Sequence, residues 1–396
     1  MTDTLAAALD AETLALFTAS IARYGQDNYD FGQYRKLQHT APGFGVQAWK
    51  DYAAMGWLAA AMPLDDGGFD SNPAAVAALM RYAGEHLALE PLFANVVLCA
   101  RMLALCGGTG AARERLQVLT SGSRLFAFAH AENPGDAMDG EVAVRFGDGT
   151  LSGDKLAVLH GDVAEELLVT ALEPDAGRAG ARLALFAVNV AQPGVDKTSY
   201  KLVDGRGAAS FTFQRAVATP LVAGGADSAM PATALTPQGN AGAILERTLD
   251  DARMALCAEA HGAMRALNRL TLAYLKDRRQ FGRPIGTNQA LQHRMVELFM
   301  LEQEVAAVIG AAQRSANHAP AVRQRAIMGA VTHTMTAGRQ ISHEAVQMHG
   351  GIGTTDELAI GHYFKRIMVI NRLLGDRDAH LDKFAAADVA MRQTAR

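Results

Sequence analysis

The sequence predicts an α+β, mainly α protein: an N-terminal α-helical domain, a middle antiparallel β-barrel or sandwich, and a C-terminal α-helical bundle. Three observations carry that expectation. Apolar residues recur at three- and four-residue spacing towards both ends of the chain. The middle switches to short β-branched and aromatic runs cut by turn residues, and 396 residues exceed what one core serves.

Residues 1 to about 118 read as helices, with the helical repeat in Val76-Ala-Ala-Leu-Met-Arg-Tyr82 and again from Leu92 to Leu105. Pro63 and Asp65-Asp-Gly-Gly68 interrupt it. From about 119 to 230, six runs read as strands: Leu125-Phe-Ala-Phe-Ala129, Glu141-Val-Ala-Val-Arg-Phe146, Lys155-Leu-Ala-Val-Leu159, Leu167-Leu-Val-Thr170, Leu183-Ala-Leu-Phe-Ala-Val188 and Ser210-Phe-Thr-Phe213. Turns are expected at Gly147-Asp-Gly149, Pro193-Gly194 and Asp204-Gly205, and no helical pattern intervenes, which argues against alternating strands and helices. A linker is expected over 231–242. Beyond it Leu256, Ala260, Ala263, Leu267, Leu270 and Tyr274 form one face of a long helix. Helices over roughly 288–316 and 321–348, a glycine turn, a helix from Ile360 to about Leu374 and a final helix complete the chain. The expected domains are therefore 1–118, 119–232 and 233–396.

Composition narrows the function. Lys and Arg number 37 against 41 Asp and Glu, a net charge of −4 without blocks of like charge, which argues against nucleic acid as a partner. The three cysteines, Cys99, Cys106 and Cys257, form no Cys-x-x-Cys, so neither a disulfide framework nor a zinc site is expected, and no metal. Acids near the N-terminus and the interrupted run Ala53 to Pro63 argue against a targeting segment or membrane span, so a soluble cytoplasmic protein is expected.

One stretch stands out: Gln347-Met-His-Gly-Gly-Ile-Gly-Thr-Thr-Asp-Glu357. Three glycines ahead of two carboxylates suit a phosphate cradle, a metal loop, a plain turn or the perch of a catalytic base. Asp356 reads as a helix N-cap, and Glu357 reads either as a base or as an acid meeting a helix dipole.

Together with Tyr274-Leu-Lys-Asp-Arg-Arg-Gln-Phe-Gly-Arg-Pro-Ile-Gly-Thr-Asn-Gln-Ala-Leu-Gln292, that stretch resembles the paired C-terminal signatures of acyl-CoA dehydrogenases. Met55-Gly-Trp-Leu-Ala-Ala-Ala-Met-Pro-Leu-Asp-Asp-Gly-Gly68 resembles the family's loop between early helices, and the likeness covers almost the whole chain. The resemblance implies a fold with a C-terminal four-helix bundle, FAD as cofactor, and oxidation of an acyl-CoA to its 2,3-enoyl form. A base removes the α-proton while the flavin takes the β-hydride, and an electron-transferring flavoprotein accepts the electrons. A carboxylate suits that base, because removing water from it strengthens it.

Carried over residue by residue, the likeness assigns the base to Glu357; the alternative glutamate position before an arginine of the long helix is Ala252 here, so that site is empty. It assigns Arg278, Phe281, Gln289, Gln347, Gly350 and Gly351 to FAD held largely by a neighbouring subunit, and Asp250 and Arg253 to the thioester and pantetheine. A guanidinium forks onto pyrophosphate, and glycines let backbone amides approach it. For Asp250 and Arg253 an ordinary pair one helical turn apart is the alternative.

The middle of the chain departs from the family pattern. Ala129-His-Ala-Glu-Asn-Pro-Gly-Asp136 is a shortened form of the flavin loop, and in Lys155-Leu-Ala-Val-Leu-His-Gly161 the residues Ala157 and Leu159 replace the family's flavin-touching Trp and Thr. This, with Tyr363-Phe-Lys-Arg366, most resembles bacterial two-gene acyl-CoA dehydrogenases, such as the small subunit of pimeloyl-CoA dehydrogenase and the sterol side-chain enzymes. These assemble as α2β2 heterotetramers in which one subunit type can hold a degenerate site. Three readings follow: a subunit with its own competent site, in such a heterotetramer or a homotetramer; a largely structural subunit completing a homologous partner's FAD site; or a flavin-dependent monooxygenase or oxidase on the same fold.

Overall fold

In the computed structural model, residues 11–69, 72–107, 110–136, 140–174, 180–222 and 240–394 are described. The expected linker over 231–242 lies outside them apart from its last three residues, and so do residues 1–10. The first helices are α1 (Ala11–Asn28), α2 (Phe31–Gln38), α3 (Val46–Ala54) and α4 (Pro73–Glu85), followed by a π-helical stretch, Phe93–Ala100, that runs into α5 (Arg101–Leu105), and by α6 (Gly110–Thr120). The strands are β1 (Phe126–Ala129), β2 (Arg145–Gly147), β3 (Thr150–Leu159), β4 (Glu166–Pro174), β5 (Ala181–Asn189), β6 (Val195–Lys201), β7 (Gly207–Val217) and β8 (Thr219–Pro220). Then come α7 (Ala241–Asp277), the two-residue strands β9 (Arg279–Gln280) and β10 (Arg283–Pro284), α8 (Gln289–Arg314), α9 (Pro320–His349), α10 (Ala359–Leu374) and α11 (Arg377–Thr394). The chain divides into two compact units. One is Met1–Ser20, Leu37–Leu79 and Leu89–Ala252; the other is Ile21–Lys36, Met80–Ala88 and Arg253–Arg396.

In the first unit the strands run in the order β6-β7-β3-β2-β4-β5-β8, with β1 against β4. Most neighbours are antiparallel, as expected, but β1 lies parallel to β4, with Phe126 opposite Glu166 and Ala129 opposite Val169. Leu151, Val158, Leu167, Val169, Phe186, Phe211 and Phe213 fill one core. Each such side chain removed from water stabilises the fold by about 1.5–3 kcal/mol. Two expectations need correction. The run Glu141 to Phe146 is a strand only from Arg145, because the Ala143 and Val144 amides donate to the Glu132 carboxylate (2.7 and 3.1 Å) instead of to a neighbouring strand. Conversely, β6 is a strand without an apolar pattern: Val195-Asp-Lys-Thr-Ser-Tyr-Lys201 pairs only with β7 and stays largely exposed, as a charged edge strand does.

In the second unit α7 and the end of α4 touch backbone to backbone. A Cβ on Gly84 would stand 1.8 Å from the Glu259 carbonyl, and one on Gly262 2.0 Å from that of Arg81. No other residue allows that approach. The crossing is fastened by Arg366 on α10, which is 1% exposed: it meets Glu259 Oε1 at 2.8 Å and donates to the Ala88 carbonyl at 3.1 and 3.2 Å. Helix α10 reaches this place because Ile360, Tyr363, Ile367, Ile370 and Leu374 recur on one buried face.

Candidate active site

The two signature stretches come together through one aromatic contact. Tyr274, near the end of α7, stacks on His349, the last residue of α9, with ring centroids 4.3 Å apart, and its hydroxyl donates to the His349 carbonyl at 3.4 Å. Burial holds the His349 imidazole below its usual pKa, so it stacks as a neutral ring near pH 7.

Past Tyr274, β9 and β10 pair across the two-residue loop Phe281-Gly282, with φ of 51° and 83°. Both values are left-handed, as a tight type I′ hairpin requires. For phenylalanine that conformation is strained, and this side chain is wholly exposed, at 103%. Arg278, Arg279 and Arg283 flank it, also exposed, and among the described residues the Arg278 side chain has no ion-pair partner. The Ile285 amide donates to the Arg278 carbonyl at 2.8 Å, which closes the base of the hairpin. Gln289 begins α8 and is exposed.

Past His349, Gly350 ends α9 at φ 64° and ψ −149°, a conformation open to glycine. A Cβ on Gly350 or Gly351 would meet nothing within 4 Å, so the turn presents bare backbone, with Gln347 exposed beside it. The loop then runs to Glu357, which is exposed, and to Leu358, which caps α10 without a side-chain bond. The expected N-cap at Asp356 is therefore wrong. The helix begins three residues later, and the Asp356 carboxylate meets Lys365 Nζ at 3.4 Å instead.

Asp250 and Arg253 are both buried on α7, at 1% and 5% exposure. The neighbouring Asp251, which sequence reasoning passed over, is engaged more visibly. It meets Arg101 Nε at 2.8 Å and Arg247 Nε at 3.1 Å. Burial opposes its ionisation, yet the two guanidiniums hold its carboxyl below the usual range.

In the sheet unit the departures from the family pattern have a structural form. The β3–β7 register slips between Lys155 and Val158, and Ala157 stands exposed at φ 51° while Leu159 is buried. Neither side chain can stack as an aromatic ring would. Lys155 is fully buried, and its Nζ donates to Glu132 Oε1 (2.6 Å), the His130 carbonyl (2.9 Å) and Thr170 Oγ1 (3.0 Å). Burial pushes the ammonium down to about 8, against the pull of Glu132. The folded chain thus releases this proton more readily than the unfolded one, so stability gains with pH from about 8 towards the ordinary lysine value of 10.5. Lys155→Met leaves Glu132 without its counter-charge. It should lower unfolding free energy at pH 7 by roughly 3 kcal/mol, the lower end for a broken buried pair, and remove that alkaline gain. Urea titrations at pH 7 and 9.5 check both.

Comparison with known proteins follows the same lines. Residues 240–387 match the family model described as acyl-CoA dehydrogenase, C-terminal domain. The acyl-CoA dehydrogenase IpdE2 of Mycolicibacterium smegmatis is 38% identical over 137 residues, which is 35% of this chain and 42% of that protein, so the match spans less than half of its length. Acyl-CoA dehydrogenase FadE27 of Mycobacterium tuberculosis is 28% identical over 83% of this chain and 84% of its own. Among solved structures, the Tcur3481-Tcur3483 steroid ACAD variant superposes with a TM-score of 0.80 at 26% identity, covering 96% of this chain and 99% of that one. Among the described residues no helix is long and apolar enough to cross a membrane. The glycine turn and the hairpin thus lie within residues 240–387, the part that matches the acyl-CoA dehydrogenase C-terminal domain, and the chain as a whole is similar to acyl-CoA dehydrogenases along most of its length.

Proposed function

We propose that this protein is a FAD-dependent acyl-CoA dehydrogenase subunit that introduces the α,β double bond of an acyl-CoA, with Glu357 taking the α-proton. One observation carries the reading. A single unit holds an exposed carboxylate at the start of α10 and an exposed cationic, aromatic hairpin tied to a glycine turn.

The donor set fits the ADP half of FAD. Arg278 supplies a forked cation for pyrophosphate, Gln289 and Gln347 supply carboxamides, and Gly350 and Gly351 leave room for close approach. Phe281, strained and fully exposed, gains most by being covered, and an aromatic face against a cofactor held by another subunit does that. FAD held by these residues would supply an acceptor for the β-hydride and a route for the electrons to an electron-transferring flavoprotein. Glu357 receives the α-proton, and Asp250 and Arg253 serve the thioester and pantetheine as buried polar groups of α7.

The reading includes the division into 1–118, 119–232 and 233–396, a cytoplasmic location, and assembly as α2β2 with a homologous subunit or as a homotetramer. Likeness to a steroid ACAD supports a bulky acyl group. A second reading has the chain largely complete a partner's FAD site. Ala157 and Leu159 favour it, since they offer neither a stacking ring nor a hydroxyl.

The deciding experiment is purification with and without a homologous subunit, followed by counts of chains and FAD and by dye-linked oxidation of acyl-CoA. One FAD per copy of this chain with acyl-CoA oxidation supports the first reading; FAD only on the partner supports the second. An assembly without FAD or acyl-CoA oxidation overturns both. Arg278→Ala should weaken FAD by about 10–100-fold, the loss of a charge-assisted bond of roughly 1.5–3 kcal/mol, with unchanged circular dichroism. Flavin retained after gel filtration measures it.

A further inference from the structure

Four large apolar side chains stand in water on one stretch of the second unit. Leu272 on α7 is 42% exposed, and Val296, Phe299 and Met300 on α8 are 57%, 56% and 54% exposed. Phe299 and Met300 follow Val296 by three and four residues, which sets all three on one side of α8 as a ridge. Beside it a trough of about 660 Å³ runs between α7 and α8, lined by Leu272, Ala273, Met295, Val296 and Phe299. Contiguous apolar surface of this kind marks a place where another molecule sits.

The charges around the trough indicate what covers it. Arg265, Arg269, Leu272, Ala273 and Lys276 recur along one side of α7, so three cations edge the trough. Two carboxylates also line it, but both are engaged: Glu85 meets Arg265 at 3.5 Å, and Glu302 meets His261 at 3.4 Å. Arg269 and Lys276 are exposed and have no ion-pair partner among the described residues. Arg81, one turn before Glu85 on α4, adds to the excess: burial first, then the charge of Arg265, push its guanidinium below the usual arginine pKa. Positive charge is thus crowded here in a chain whose net charge is −4.

Half-exposed walls suit a protein face better than a small molecule, because small-ligand sites enclose most of their ligand. A second copy of this chain is a poor occupant. A two-fold contact sets a patch against itself, so Arg269 and Lys276 would meet their own like charges. We infer that this α7–α8 face docks a different chain, one that brings an apolar ridge flanked by carboxylates. Such docking rests on the multi-subunit assembly proposed above and makes it heteromeric; it is independent of which group acts as the base. Lys276 stands two residues before Arg278, so the face runs on into the hairpin that the proposed FAD site sets against another subunit.

The test builds the complementary face on the chain itself. Arg269→Glu combined with Lys276→Glu keeps the ridge and reverses the charge, and this double variant is mixed with wild type at equal concentration. Native mass spectrometry and sedimentation should show a mixed complex at least about tenfold tighter than the self-association of either chain, weakening about tenfold between low salt and about 0.5 M. Phe299→Asp, at an exposed position, should abolish the mixed complex with unchanged circular dichroism. Co-expressed with a homologous subunit, the double variant should retain about tenfold less of it than wild type does. Wild type that self-associates as tightly as the mixture, and comes apart on Phe299→Asp, makes this a face between identical copies and overturns the assignment. Absence of a mixed complex overturns it too, and dodecyl phosphate bound by wild type but not by the double variant then identifies a small anionic amphiphile as the occupant. FAD content and acyl-CoA oxidation enter none of these readouts, so failure of the dehydrogenase reading leaves them intact.

Discussion

Glu357→Gln should lower acyl-CoA turnover by about 10²–10⁴-fold while leaving FAD content and the fold unchanged. The amide keeps the size of the carboxylate but cannot take a proton, so the loss reports proton transfer alone. Structure supports a selective effect. Glu357 is exposed, lies outside the core and has no hydrogen-bond or ion-pair partner among the described residues, so removing its charge costs the fold little. The wild-type reaction should also show a primary isotope effect with α-deuterated acyl-CoA, since that bond breaks to the base. Undiminished turnover in the variant would remove Glu357 from the mechanism.

The largest stability loss is expected at Arg366→Met. Arg366 and Glu259 are each 1% exposed and pair at 2.8 Å, so the variant leaves a buried carboxylate without its cation. It also deprives the Leu87 and Ala88 carbonyls, just beyond α4, of their guanidinium donors. Breaking a buried pair costs about 3–5 kcal/mol, and each stranded carbonyl adds roughly 1–3 kcal/mol at most. A total of about 5 kcal/mol would leave most domains of this size largely unfolded. The double variant Arg366→Met with Glu259→Leu should recover much of the loss, because replacing both charges by apolar groups removes the desolvation penalty. Urea midpoints of the three variants and wild type measure the coupling.

The glycine pair at the crossing explains why Arg366 matters to the site. Gly84 and Gly262 bring α4 and α7 into backbone contact, Arg366 in the middle of α10 fastens that contact, and the loop that carries Glu357 leads into the start of the same helix. Disturbing the buried pair should therefore loosen the loop as well as the bundle.

Much of this was legible in the chain itself. A three-and-four repeat from Leu256 to Tyr274 reads as one helix face, so the end of α7 at Asp277 was readable to within a few residues, while its start at Ala241 lies well before the repeat. The Arg-Arg-Gln-Phe-Gly and glycine stretches were readable as signatures because each is contiguous. Less was legible where the determining partner lies far away. Strand β6 has no apolar alternation, since its neighbour β7 supplies all of its pairing. Asp356 has the composition of an N-cap, but the helix starts later.

The sequence by itself determined the resemblance to acyl-CoA dehydrogenases, the helix–sheet–helix order and the list of chemical groups, because these rest on local periodicity and on contiguous motifs. Only the tertiary structure decided how those groups are held. Tyr34 reaches His362 across 328 positions, Lys155 finds Glu132 across 23, and Phe281 stands strained at a hairpin tip. Such pairings leave no period in the chain, because hydrogen bonds and burial are satisfied by whatever folding brings close, whatever its distance in sequence.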